Sequence, residues 1–214
     1  MQLPIMKRLT VEHLSLYTQS IYHTIHPGIN MVIGGNGLGK TTLVNTILFA
    51  LVGNVPCEVL NPRTGMSEPI FLIPSDYFSG RLKPQDQKQA RVTLEFEVDN
   101  KEVAVTRALF HPRIVRIELR DRDSGESRVE EGGSDELEAM YQQMMKKMLG
   151  IEQFEHFIFL VANLLVFGEE RRTLVWDSAV QNRVIRLLFL EKEFDERFDE
   201  LVESIKFVPP IVQS

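Results

Sequence analysis

Cysteine is nearly missing: Cys57 is the only one in 214 residues. No disulfide can close within one chain, and a structural zinc site would lack its thiolates. A reducing, cytoplasmic setting is therefore expected. Long apolar runs are missing as well. The longest, FIFLVANLLVF over residues 157–167, is interrupted by Asn163 and is about half of the roughly 20 residues a membrane-spanning helix requires. The opening MQLPIMKRLTVEH lacks the apolar stretch of a secretory signal, and no membrane partner is expected. Positive charge is in deficit, with 24 Lys and Arg against 30 Asp and Glu and a net charge of −6. Bulk electrostatics do not advertise nucleic-acid binding, although a local basic face is compatible with such a total. His23, His26, His111 and His156 have no metal-ligand spacing.

The remainder is globular in character: 43% hydrophobic and 25% charged, enough to bury a sizeable core. Residues 3–16 have short apolar stretches compatible with strand. After His26-Pro27-Gly28, the run Ile29-Asn30-Met31-Val32-Ile33 reads as a buried strand ended by Gly34 and Gly35. Leu43, Val44, Ile47, Leu48 and Leu51 then recur as one face of a helix that Gly53 stops. Residues 54–89 hold five of the ten prolines, so long regular elements are not expected there.

Alternation resumes at Val92, Leu94, Phe96 and Val98, with a turn at Asp99-Asn100, a second strand over 102–110 and a third over 113–120. An antiparallel meander follows from that pattern. Residues 134–150 carry a full set of helix signals: Ser134 as cap, acids first, Lys146 and Lys147 last. Leu137, Tyr141, Met144 and Met148 form its core stripe. A last long helix is expected over 179–207. There Phe194, Phe198, Leu201, Ile205 and Val208 follow coiled-coil spacing until Pro209-Pro210 ends it.

The chemistry is concentrated in Gly34-Gly35-Asn36-Gly37-Leu38-Gly39-Lys40-Thr41, which fits G-x-x-x-x-G-K-[ST]. Glycines let backbone N–H groups turn inward around phosphates, and the helix that follows aims its positive end at the same anion. Lys40 reaches the outer phosphates, the Thr41 hydroxyl suits Mg²⁺, and Thr42 adds a phosphate contact. ATP and Mg²⁺ are the implied cofactors, held by Gly35, Asn36, Gly37, Leu38, Gly39, Lys40, Thr41 and Thr42. A complete ATPase site also needs an apolar strand running into Asp-Glu, to hold Mg²⁺ and activate water. LLVFGEE has Gly168 in place of the Asp, IFLIPSD does not fit, and no LSGGQ-like signature occurs.

HPGINMVIGGNGLGKTTLVNTILFAL resembles the N-terminal lobe of SMC-type, double-strand-break-repair-type and RecF-type ATPase heads of the ABC superfamily, where Asn occupies the place of Asn36. ARVTLEFEVDNKEVAVTRALF is similar to the antiparallel strands of that lobe. FEHFIFLVANLLVFGEERR and IRLLFLEKEF resemble its Q-loop region and the helix entering its coiled coil. The resemblance implies an α/β fold: a P-loop NTPase N-lobe with an antiparallel meander and flanking helices over residues 1–193, carrying the loop at 34–42 and a proline-rich insertion at about 54–89. A coiled-coil root would follow at 194–214.

The resemblance further implies that Walker B and the signature lie on a C-terminal lobe beyond the coil. Two heads would then sandwich ATP as a homodimer, engaging DNA with nuclease or kleisin-like accessory subunits in repair, chromosome organisation or anti-phage and anti-plasmid defence. This chain reads as an N-lobe fragment or a split subunit. The Q-loop glutamine of the family is replaced by Ala162-Asn163, so Asn163 is either a Mg²⁺ ligand or an ordinary helix residue. Ser15 stands where repair-type relatives bring an arginine to the nucleotide, and no role is transferred to it.

Arg113, Arg116, Arg120 and Arg122 would share one face of the third strand. They read as DNA-phosphate contacts or as a solvated face balanced by Glu118, Asp121 and Asp123, and the net acidity favours the latter. Arg171, Arg172, Arg183 and Arg186 are similarly open, and Trp176 reads as a packing anchor. Two other classes compete. A transporter nucleotide-binding subunit should show its signature within roughly 150 residues of the loop, whereas here Asn163 lies about 120 residues beyond Lys40 and a coil stub follows. A P-loop kinase or GTPase is the other, and a GTPase needs an NKxD-like segment that the sequence lacks.

Overall fold

Alternation builds the sheet first. In the computed structural model, which describes residues 2–17, 19–60, 67–133, 135–166 and 178–189, strand β5 (Arg91–Val98) buries Val92, Leu94, Phe96 and Val98 and turns the residues between them outward. Strand β1 (Ile5–Glu12) pairs with it on one side and β6 (Lys101–Ala108) on the other, both antiparallel. With β2 (Ile21–Thr24), β7 (Arg113–Asp121) and β8 (Ser127–Glu131) the order is β2-β1-β5-β6-β7-β8. The meander therefore has a fourth strand, β8, which SRVEE with its single apolar residue did not announce.

The proline-rich stretch forms short elements. Strands β3 (Pro56–Leu60) and β4 (Ser67–Phe71) make a separate two-stranded ribbon, and a 3₁₀ turn spans Ser79–Arg81. Pro56 opens its strand, where the missing N–H costs least.

Helix α1 (Lys40–Val52) packs on β5 and β6, and α2 (Asp135–Leu149) on β7. Two details of phase differ from the sequence reading. The N-terminal half of α1 buries Thr42 and Thr46 while Val44 is 42% exposed; the Thr46 hydroxyl donates to the Thr42 carbonyl at 2.7 Å, which satisfies it inside the core. In α2 the buried stripe is Leu137, Tyr141, Met145 and Leu149. Met144 and Met148 flank it half-buried.

The two helices and the sheet meet at a polar knot. Arg107, in phase with buried Val103 and Val105 on β6, is 1% exposed. Its Nε donates to the Ala50 carbonyl at 3.0 Å and its Nη1 to Glu138 of α2 at 2.6 Å. Tyr141, also on α2, donates its hydroxyl to the Leu51 carbonyl at 2.7 Å, and the Gly53 N–H closes on Phe49. Three successive carbonyls at the end of α1, otherwise without intrahelical partners, are thus capped. Gly53 has a second function besides ending the helix: a Cβ there would lie 2.7 Å from Arg107 Nη1.

The outward face of the sheet is a ladder of ion pairs. Arg91 meets Glu12, Arg8 meets Glu95, Lys7 meets Glu97, and Arg122 bridges Glu97 and Glu102. The register between β6 and β7 slips at Val115, placing Ile114 opposite Arg107 and Arg116 opposite Thr106. That bulge puts Arg113 and Arg116, three residues apart, on the same face. Arg116 contacts Glu118 and Glu131, and Arg113 donates to the Gly133 carbonyl.

Lys7, with Arg122 in support, holds the Glu97 carboxyl below its ordinary range against the opposing cost of burial. Because the folded state prefers the ionised form, this contribution is present above the unfolded pKa and is lost as pH falls through the folded one. The melting temperature is expected to drop between about pH 5 and pH 3, with a shallower slope in Glu97→Gln; an unchanged slope would contradict the pairing.

Two compact units divide the chain, Met1–Ile158 and Phe159–Ser214. In the first unit, Phe154 and Phe157 of α3 (Phe154–Leu160) extend the aromatic core beside Tyr141. In the second, the end of α3 passes into a π turn over Val161–Leu165. Helix α4 (Ser178–Phe189) sets Arg183 over the Phe159 ring at 4.4 Å, so this arginine is spent on a cation–π contact. The expected helix over 179–207 is described only to Phe189. The coiled-coil positions, Arg171, Arg172, Trp176 and Gly168 of LLVFGEE lie outside the described residues. Among the described residues no single helix is long and apolar enough to cross a membrane.

Candidate functional site

One sequence expectation fails where the site begins. Residues 29–33 form no strand: Ile29, Met31, Val32 and Ile33 are 92%, 76%, 54% and 84% exposed. Asn30 is used locally instead. Its side chain accepts from the His26 N–H at 3.2 Å and donates to the His26 carbonyl at 2.8 Å, closing a turn in which Gly28 has φ 92°. A strand requires a neighbour to pair with, and among the described residues none lies beside this run. Apolar composition predicted the strand, and pairing decides it.

The loop itself has the geometry its glycines allow. Gly37 and Gly39 adopt φ of 80° and 85°, which is left-handed backbone that other residues enter at a cost. From Gly39 the chain enters α1, with the Leu43 N–H on the Gly39 carbonyl at 2.8 Å. The first amides of the helix have no intrahelical acceptor. No acidic side chain occupies its first turn to offset the positive end. The Lys40 ammonium folds back across the loop, donating to the Gly34 and Gly35 carbonyls at 2.7 Å each. The unpaired first amides of a helix and one ammonium thus lie together at one exposed loop. That donor set fits a polyphosphate.

The remaining assigned residues divide by position. Asn36 and Leu38 are exposed on the loop, Leu38 to 67%, while Thr41 is exposed at the start of α1 and Thr42 is 7% exposed. The Thr41 hydroxyl is an exposed oxygen beside the loop, of the kind that Mg²⁺ accepts as a ligand. Asn163 belongs to the second unit, in the π turn, with its Nδ2 on the Phe159 carbonyl at 2.8 Å. Any metal ligation would therefore fall to its Oδ1.

Sequence reasoning missed Tyr17. Its hydroxyl donates to the Gly39 carbonyl at 3.0 Å, across 22 residues of chain, and burial pushes its phenol pKa up, with Tyr77 adding to the effect. A sequence model described as an AAA domain matches residues 10–207. No curated protein matches the chain.

Proposed function

Since the chain belongs to the AAA-domain family of P-loop ATPases, which includes SMC-like enzymes, we propose that it is the ATP-binding half of an SMC-type ATPase head. The observation that carries the reading is a glycine loop, with Gly37 and Gly39 in the left-handed region and running into α1, in a sequence without a recognisable Walker B strand or signature motif. ATP supplies the phosphoanhydride to be cleaved, with Mg²⁺ as its counter-ion. Lys40 and the amides of Gly37, Gly39 and Lys40 bind and orient the phosphates, the Thr41 hydroxyl holds the metal, and the left-handed glycines keep the loop open to them. The residue that activates water comes from a C-terminal lobe, and a second head completes the site as an ATP-dependent homodimer engaging DNA.

The exposed run before the loop supports a missing partner. Four apolar side chains in close succession at this exposure form a patch that soluble surfaces seldom leave uncovered, and a strand from the C-terminal lobe would bury them. Full burial of each is worth about 1.5–3 kcal/mol. Two of the four arginines, Arg116 in β7 and Arg122 just beyond it, already meet carboxylates, which counts against their contacting DNA.

Co-expression with the C-terminal lobe tests the assembly. Ile33→Lys is expected to leave the melting temperature of the chain alone within about 2 °C, as a surface substitution does. It should also abolish co-purification of the lobe and the ATP-dependent dimer seen by light scattering. Normal assembly of Ile33→Lys would place the lobe elsewhere.

A further inference from the structure

The phosphate loop is held from behind by a residue outside its motif. Tyr17 Oη donates to the Gly39 carbonyl, which also accepts the Leu43 N–H, so both lone pairs of that oxygen are occupied. The tyrosine ring lies against the same glycine: a Cβ on Gly39 would meet Cε1 and Oη at 3.4 Å. Glycine peptides reorient readily because no Cβ opposes it, and Gly39 sits in the left-handed region just before the lysine. In a planar trans peptide the carbonyl and the following N–H point in opposite directions. With the Gly39 carbonyl fixed toward the body of α1, the Lys40 N–H faces out of the helix N-terminus, where it is a free donor.

We propose that Tyr17 is a positioning residue for phosphate binding, acting through the Gly39–Lys40 peptide to aim the Lys40 N–H at the bound anion. This rests on the reading of the loop as a nucleotide site. The phenol is protonated, and therefore a donor, through the physiological range at its ordinary pKa, and burial raises that pKa further. Tyr17 is itself fixed. Its N–H donates to the carbonyl of Leu14, a residue 2% exposed. The neighbouring Ser15 N–H donates to the Arg81 carbonyl at 3.0 Å. Arg81 in turn lies 4.1 Å over the Tyr77 ring. The segment rich in proline thereby acquires a structural role, because its 3₁₀ turn backs the residue that backs the loop.

The test uses the full chain at a temperature where near-UV circular dichroism shows each variant folded. Two probes are titrated by calorimetry, Mg·ATP and inorganic tripolyphosphate, the second of which has no base or sugar. Tyr17→Phe keeps the ring and removes only the hydroxyl. It is expected to weaken both probes by the same factor, about three- to tenfold, and to shrink the shift of the Lys40 amide resonance at saturating tripolyphosphate. Tyr17→Leu should lose no less. Wild-type affinity of Tyr17→Phe for both probes, with an unchanged Lys40 shift, would overturn the proposal. So would a Tyr17→Leu variant that loses affinity for ATP alone, which would mark the ring as a platform for the base. Failure of the wild-type chain to bind either probe would instead overturn the nucleotide reading, and this inference with it.

Discussion

Lys40→Ala is expected to weaken ATP binding by about a hundredfold and to leave the fold intact. The ammonium is the one cation the loop holds among its described side chains, and each charge-assisted contact it makes to phosphate is worth about 1.5–3 kcal/mol. Two such contacts at the lower bound, about 3 kcal/mol together, set the expected factor. Its present partners, the Gly34 and Gly35 carbonyls, are on an exposed loop, and water replaces the lysine there. The melting temperature without nucleotide should accordingly stay within about 2 °C of wild type, while the rise induced by ATP disappears. Calorimetric titration beside a thermal melt separates the two effects. Undiminished affinity would show that the anion is held elsewhere.

The largest stability effect is expected at Arg107. Arg107→Met fills similar space but strands the Glu138 carboxylate, whose Oε1 already has no partner, and uncaps the Ala50 carbonyl. Breaking a buried pair from one side costs about 3–5 kcal/mol, or roughly 10 °C in melting temperature for a chain of this size. Arg107→Met combined with Glu138→Leu should recover much of the loss, because removing both charges leaves no carboxylate stranded and only the Ala50 carbonyl without its partner. A double mutant as unstable as the single one would assign the role of Arg107 to packing against Phe49 and Tyr141 rather than to its charge.

What could be read in the sequence was local. The loop is legible because its glycines, lysine and threonine are contiguous, and β5 to β7 because alternation is a property of neighbours. Residues 29–33 misled because strand formation depends on a partner that composition cannot report. Strand β8 escaped because it is an edge strand with little apolar content. Arg107 left a signal that was passed over: an arginine in phase with the apolar Val103 and Val105. Tyr17 left none. Its contact with Gly39 exists only after β1 and α1 are placed, and no spacing within the chain encodes it.

The half-site account is tested most directly by ATP hydrolysis, comparing the chain alone, the chain with its C-terminal lobe, and each carrying Lys40→Ala. The expected result is negligible turnover by the chain alone and restored turnover with the lobe, abolished by Lys40→Ala. Brisk hydrolysis by the isolated chain that depends on Lys40 would contradict it, and would place a complete catalytic site within these 214 residues.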